Sequence, residues 1–156
     1  MNCAIRTQKL SKNFRRVAAL ADMDAVVPEG AIYALVGPNG AGKTTTLKTL
    51  MNIWPPTRGR AEVLGVESSR LSPRELARIG YVSENQEMPE WMAVEYLLAY
   101  LKPFYPTWDD ALCADLVRRF DLPLHRKIRH LSRGMRMKAA FASSFAYRPA
   151  RLRLSG

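Results

Sequence analysis

The segment AIYALVGPNGAGKTTTLK, residues 31–48, restricts this chain more than any other stretch of it. Gly37 to Thr44 satisfy the pattern GxxxxGK(S/T) in full. Six residues without a charge, from Ala31 to Val36, run straight into it. An apolar run that does not alternate reads as a strand buried on both faces, as in a parallel sheet. After Lys43 the periodicity becomes helical, with Leu47, Leu50 and Met51 sharing one face. Strand, glycine-rich turn and helix in that order predict an α/β core with an anion-binding turn.

The chemistry of the turn follows from its residues. Glycines at 37, 40 and 42, spaced by Pro38, Asn39 and Ala41, let the backbone bend sharply and approach a phosphate without a Cβ in the way. Successive N–H groups then face inward as a nest for an anion, and the following helix adds its positive end. Lys43 supplies a point charge for the β- and γ-phosphates of a nucleotide. The Thr44 hydroxyl is placed to ligate Mg²⁺, and Thr45 donates near the α-phosphate. A purely structural turn requires no lysine at this position.

Length and composition allow one globular domain with a real core: 156 residues, 47% hydrophobic and 24% charged. No apolar run reaches the roughly 18 residues of a membrane span, and the start, MNCAIRTQKL, lacks the apolar core of a signal peptide. Cys3 and Cys113 show no metal or disulfide spacing and read as free thiols of a reducing compartment. The net charge of +10 is uneven: Arg118 to Arg153 hold eleven Lys/Arg against one acid, Asp121. The net charge suits a polyanionic partner, and its unevenness suits a solvated helical face, a membrane-side surface or a fragment missing its acidic remainder.

Along the rest of the chain, residues Cys3–Leu10 and Ala25–Val27 read as strands interrupted by SKNFRR, and Pro28-Glu29-Gly30 as a turn. Pro55-Pro56 ends the first helix. Arg60–Val66 is a further strand, Pro73 opens a short helix reaching about Arg78, and Ile79–Val82 is strand-like. From Met92 onward the pattern is helical, broken at Pro103, Pro106 and Pro123.

With these segments in view, the chain resembles the ATP-binding subunit, or nucleotide-binding domain, of ABC transporters. GPNGAGKTTTLK is that family's usual phosphate loop. LSKNF puts Phe14 where the family carries an aromatic that stacks on adenine; a core aromatic is the plainer alternative. PPTRGRAEVLG resembles the turn and strand after the phosphate-loop helix. RIGYVSENQ resembles the strand leading to the loop that senses Mg²⁺, with Glu84 or Gln86 filling the metal role. HLSRGMRMKAAFA resembles the signature segment LSGGQ: Leu131, Ser132 and Gly134 match, whereas Arg133 and Met135 depart. Ser132 and Gly134 would bind the γ-phosphate of ATP held by a second subunit; Ser132 is equally a competent helix cap.

The resemblance implies an α/β P-loop NTPase core of ABC type, divided into a β subdomain with the phosphate loop (1–85), a helical subdomain (86–130), a signature segment and helix (131–149) and an aberrant tail (150–156). It implies ATP and Mg²⁺ as ligands, and a dimer working with a transmembrane transporter subunit. It places the chain in the cytoplasm, peripheral at the inner face of the membrane, with no specific nucleic acid as partner. Trp91, Tyr96, Leu97, Tyr100 and Leu101 are expected mostly in the core, some of them lining a groove for the membrane partner. A soluble P-loop module that regulates or accompanies nucleic acid is the competing reading of the basic charge. The family's metal-binding and catalytic acids end an apolar strand that aligns with Ala150–Leu154, so they fall on Ser155 and Gly156. With Arg151 and Arg153 in it, that strand is not expected to form, because unpaired buried charge is costly. The expectation is an ATP-binding copy, truncated or frame-shifted after Pro149, that is deficient in hydrolysis.

Overall fold

The computed structural model describes residues 3–83, 87–149 and the backbone of 152–155. They form two compact units, divided between Ile79 and Gly80.

The first unit is built on a four-stranded sheet, ordered β2-β1-β3-β4. β1 (Cys3–Phe14) and β2 (Val17–Pro28) form an antiparallel hairpin. The chain turns at Arg15 (φ 53°) and Arg16, so Phe14 pairs with Val17 and Asn13 with Ala18. The polar SKNF stretch, expected to interrupt the strands, is itself strand, because β3 (Arg58–Val63) pairs along the other edge of β1 from Ile5–Val63 to Ser11–Arg58. A two-residue β4 (Val66–Glu67) completes the sheet. β3 crosses the bulged centre of β1 at Gly59 (φ 72°); a Cβ there would lie 2.1 Å from the Lys9 carbonyl oxygen, so no other residue fits without moving backbone. Leu10, Ala61 and Val63 are buried on this sheet. The turn at Pro28–Gly30 is present, with Ala31 N donating to Pro28 O at 3.3 Å.

α1 (Lys43–Leu50) buries Thr46, Thr49 and Leu50. It stops well before Pro55. Asn52 takes a left-handed conformation (φ 56°), and the Ile53 and Trp54 amides fold back onto the Lys48 carbonyl at 2.9 and 3.3 Å. The terminator is therefore this hooked turn, not the prolines. α2 (Pro73–Leu76) is one turn, started by Ser72 in a reciprocal capping box with Glu75.

The expected strand Ala31–Val36 does not form. Among the described residues it pairs with no other strand, and Ile32 and Val36 are 102% and 89% exposed. A strand needs a partner for its backbone as well as an apolar sequence, and among the described residues no segment supplies one.

The second unit packs α3 (Val94–Leu101), α4 (Asp110–Arg119) and α5 (Arg133–Ala146) around Val94, Leu97, Leu98, Cys113, Ile128, Ala139 and Ala142. The alanines of α5 let its backbone come close to its neighbours. Trp91, Tyr96 and Tyr100 were expected in the core but are 68%, 66% and 54% exposed. Val94, Leu97 and Leu98 already fill the i, i+3, i+4 stripe of α3, which leaves Tyr96 and Tyr100 on its far side. Cys113 is a buried free thiol, its pKa raised by burial; Cys3 forms no disulfide, and its sulfur accepts from the Arg6 guanidinium at 3.7 Å.

β5 (Ile79–Val82) forms where expected and is hydrogen-bonded to β6 (Leu152–Ser155). The tail segment thus does become strand, against expectation. Its sequence alternates arginine and leucine, a period that suits a strand without requiring burial of both faces.

Asp109 ties the ends of two helices together. Its carboxylate caps α4 by accepting from the Leu112 amide at 2.8 Å and accepts from Arg148 Nε at 2.6 Å, just beyond α5. The Leu112 hydrogen bond first, then Arg148, hold its pKa below the ordinary 3.8. The stabilisation is present above the unfolded-state pKa and fades as pH falls through the lower folded-state pKa. Asp109→Asn, which keeps a cap but loses the charge, is expected to lower Tm by a few degrees at neutral pH. Melts at decreasing pH should show that gap closing only below the ordinary carboxylate range; a gap independent of pH would contradict the assignment.

Candidate functional site

The glycine-rich turn and the start of α1 make the best-defined polar site of the first unit. Gly42 is the N-cap of α1 in a left-handed conformation (φ 85°), and it has no side chain to satisfy the amides of the first turn. Those N–H groups are left facing the loop, with the positive end of the helix behind them. Thr46 closes the turn behind Gly42, its amide and hydroxyl both donating to Gly42 O at 2.8 and 2.9 Å. Gly37 to Ala41 form the rest of the loop, pinned by Ala41 N donating to Pro38 O at 3.2 Å. Asn39 and Gly40 lie at its turn.

Lys43 folds back across this loop. Its ammonium donates to the carbonyls of Gly37 at 2.6 Å and Pro38 at 2.8 Å. Two carbonyl dipoles are thereby satisfied, and a full positive charge is held beside the open amides of the helix. Thr44 is exposed and Thr45 half-buried, both in the first turn. The arrangement concentrates donors and positive potential, and the carboxylate of Asp24, which lines the adjoining cleft, accepts from the Lys9 amide at 2.7 Å. Such a site binds a polyanion.

An open cleft of about 500 Å³ adjoins the loop, lined by Gly40, Ala41 and Lys43 on one side and by Ala18, Ala19 and Leu20 of β2 on another. It runs toward the hairpin tip. Phe14 does not line it, but its cross-strand partner Val17 is the neighbour of Ala18. Phe14 is 38% exposed, so it is no core aromatic. Its ring meets Trp54 edge-on, with centroids 4.8 Å apart and planes at 80°. Lys12 lies 5.1 Å from the Phe14 centroid and Lys48 lies 4.3 Å from that of Trp54. Sequence reading had Phe14 but missed Trp54; an aromatic directly before Pro55-Pro56 was the available signal.

The signature-like segment lies in the second unit and is described there alone. Ser132 is the N-cap of α5, its hydroxyl oxygen accepting from Met135 N at 3.2 Å. Gly134 is exposed, and a Cβ there would meet nothing within 4 Å. Beside this helix start is a cleft of about 660 Å³ lined by Glu87, Glu90, Arg133 and Arg136 among others. Glu90 accepts from Arg136 at 3.1 Å. Glu84 and Gln86, the two candidates for a metal-sensing role, lie outside the described residues. Among the described residues no cluster of His, Cys, Asp or Glu could hold a metal unaided, and no helix is long and apolar enough to cross a membrane.

Comparison with known proteins gives one answer. A family model described as "ABC transporter" matches residues 20–154. The ABC transporter ATP-binding protein YtrB of Bacillus subtilis is 30% identical over 146 residues, covering 94% of this chain and 50% of that protein. The daunorubicin resistance ATP-binding protein DrrA2 of Streptomyces coeruleorubidus is 32% identical over 153 residues, covering 94% and 47%. The chain thus spans about half the length of these two relatives. Among solved structures, the ATP-binding subunit of an ABC transporter superposes with a TM-score of 0.84 at 26% identity, covering 97% of this chain and 65% of the other. A dimeric ATP-binding cassette in a post-hydrolysis state with ADP and Pi gives 0.78 at 22% identity, a likeness of fold alone.

Proposed function

This chain belongs to the ABC transporter family, with an α/β fold like that of its ATP-binding subunits; from that premise we propose that it binds MgATP and acts as the nucleotide-binding component of a transporter. The observation that carries the proposal is the turn itself: an uncapped helix start, with Lys43 drawn over the loop by the Gly37 and Pro38 carbonyls. The triphosphate lies on the amides from Gly37 to Thr45, with the Lys43 ammonium against the β- and γ-phosphates. The nucleoside follows β2 along the cleft toward Phe14, whose exposed face stacks on the base. Mg²⁺ neutralises phosphate charge when bound. Thr44 and the phosphates themselves would hold it, with Glu84 or Gln86, both outside the described residues, as the proposed further oxygen ligand.

Transport coupling belongs to the same proposal. Two copies, or this chain and a related one, sandwich ATP so that Ser132 and Gly134 of one meet the γ-phosphate on the other. The pair sits at the inner face of the membrane against a transmembrane subunit. Support comes from the order of the matched segments and from the dimeric cassette of similar fold. Hydrolysis by this polypeptide is not expected. By sequence, Ser155 and Gly156 stand where the family's acids align, and neither residue type ligates Mg²⁺ as a carboxylate does or orients water as a base.

The test is equilibrium dialysis with labelled ATP and Mg²⁺. Lys43→Ala removes a charged donor, worth roughly 1.5–3 kcal/mol, so binding should weaken about ten- to a hundredfold. Wild-type affinity in that variant would refute the site. Phosphate release should not exceed that of the Lys43→Ala control; turnover well above it would refute the hydrolysis deficiency while leaving binding intact.

A further inference from the structure

We infer that Trp54 is a positioning residue for the base: it fixes the ring of Phe14 in the orientation that a purine stacks on. The inference rests on the nucleotide reading above and adds a residue to it.

Trp54 belongs to the hooked turn after α1, and three bonds fasten that turn to the end of β1. Lys12 Nζ donates to Pro55 O at 2.7 Å, Asn13 N donates to Thr57 Oγ1 at 3.0 Å, and Thr57 N donates to Ser11 O at 2.8 Å. Inside that fastening, Trp54 meets Phe14 at 80° with centroids 4.8 Å apart. Edge-to-face contact fixes a ring plane while leaving a π-face of the pair free. Lys48, on the last turn of α1, steadies the indole from 4.3 Å. Phe14 sits at a hairpin tip and is 38% exposed; besides Trp54, its ring meets the Lys12 ammonium at 5.1 Å, a contact that does not fix the ring plane as the indole edge does. The helix that offers its start to the phosphates thus leads, through the hooked turn beyond its far end, to the residue that orients the base platform.

The test compares MgATP with Mg²⁺-tripolyphosphate, which has no base, by calorimetry on the full chain. Wild type, Phe14→Ala, Trp54→Ala, Trp54→Phe and the double alanine variant are measured, with thermal melts to confirm folding. Trp54→Ala should weaken ATP about two- to tenfold and leave tripolyphosphate unchanged. Trp54→Phe should recover most of the loss. The double variant should bind ATP no more weakly than Phe14→Ala alone, because Trp54 acts through Phe14. Equal losses for ATP and tripolyphosphate, additive losses in the double variant, or no loss at all would overturn the positioning role. Wild type binding neither ligand would instead overturn the nucleotide reading, and this inference with it.

Discussion

Gly42→Ala should abolish measurable ATP binding and destabilise the first unit by roughly 2–5 kcal/mol. Two costs add. The residue sits at φ 85°, where an L side chain is strained. Its Cβ would also lie 2.5 Å from the Ala19 carbonyl oxygen of β2, a backbone atom that no rotamer change relieves. Moving the loop off β2 opens the cleft and turns the amides of α1 away from the Lys43 ammonium. Gly40→Ala separates the two costs: Gly40 has φ 86°, but a Cβ there meets nothing within 4 Å. It should lose only about 1–2 kcal/mol. Urea denaturation and ATP dialysis on both variants check this. Equal stability of the two would mean that the approach to Ala19 is not what the sequence protects.

That difference between two glycines marks how far the sequence could be read. GxxxxGK(S/T) is chain-local chemistry: its glycines, lysine and helix start lie within a few residues, so their joint geometry follows from spacing alone. Ile79–Val82, Pro28–Gly30 and the helix after Lys43 are legible for the same reason. The clamp of Gly42 against Ala19 was not, because it needs the hairpin to bring residue 19 to residue 42. Trp54 escaped likewise; its contact with Phe14 spans forty positions and exists only because Ser11 pairs with Arg58. The exposed Tyr96 and Tyr100 were misplaced because apolar content was counted without asking how wide a stripe α3 buries. Ala150–Leu154 was refused as strand on the charge of Arg151 and Arg153, although the pairing of Leu152–Ser155 with β5 asks only for backbone.

The run Ala31–Val36 carries the other large prediction. It reads as the most strand-like segment of the chain, yet it stands without a partner among the described residues, with Ile32 fully exposed. Apart from the Ala31 amide, which donates to Pro28 O, its backbone enters no strand pairing among the described residues, and such backbone beside exposed apolar side chains forms a template for pairing with another molecule. The 156-residue polypeptide is therefore expected to self-associate on concentration despite its charge of +10. Ile32→Gln with Ala34→Gln removes apolar surface without altering charge and spares Val36, which lines the cleft. Burying an isoleucine is worth about 1.5–3 kcal/mol. The double variant should therefore weaken association on the order of ten- to a hundredfold in sedimentation experiments. Its melting temperature should barely move, since surface changes of this kind cost within about 0.5 kcal/mol. A large drop in Tm would show that these side chains are buried in the polypeptide in solution. Unchanged association with unchanged Tm would locate the contact elsewhere. The combination expected here, looser association at constant stability, would show that the segment keeps the chemistry of a buried strand and lacks only its neighbour.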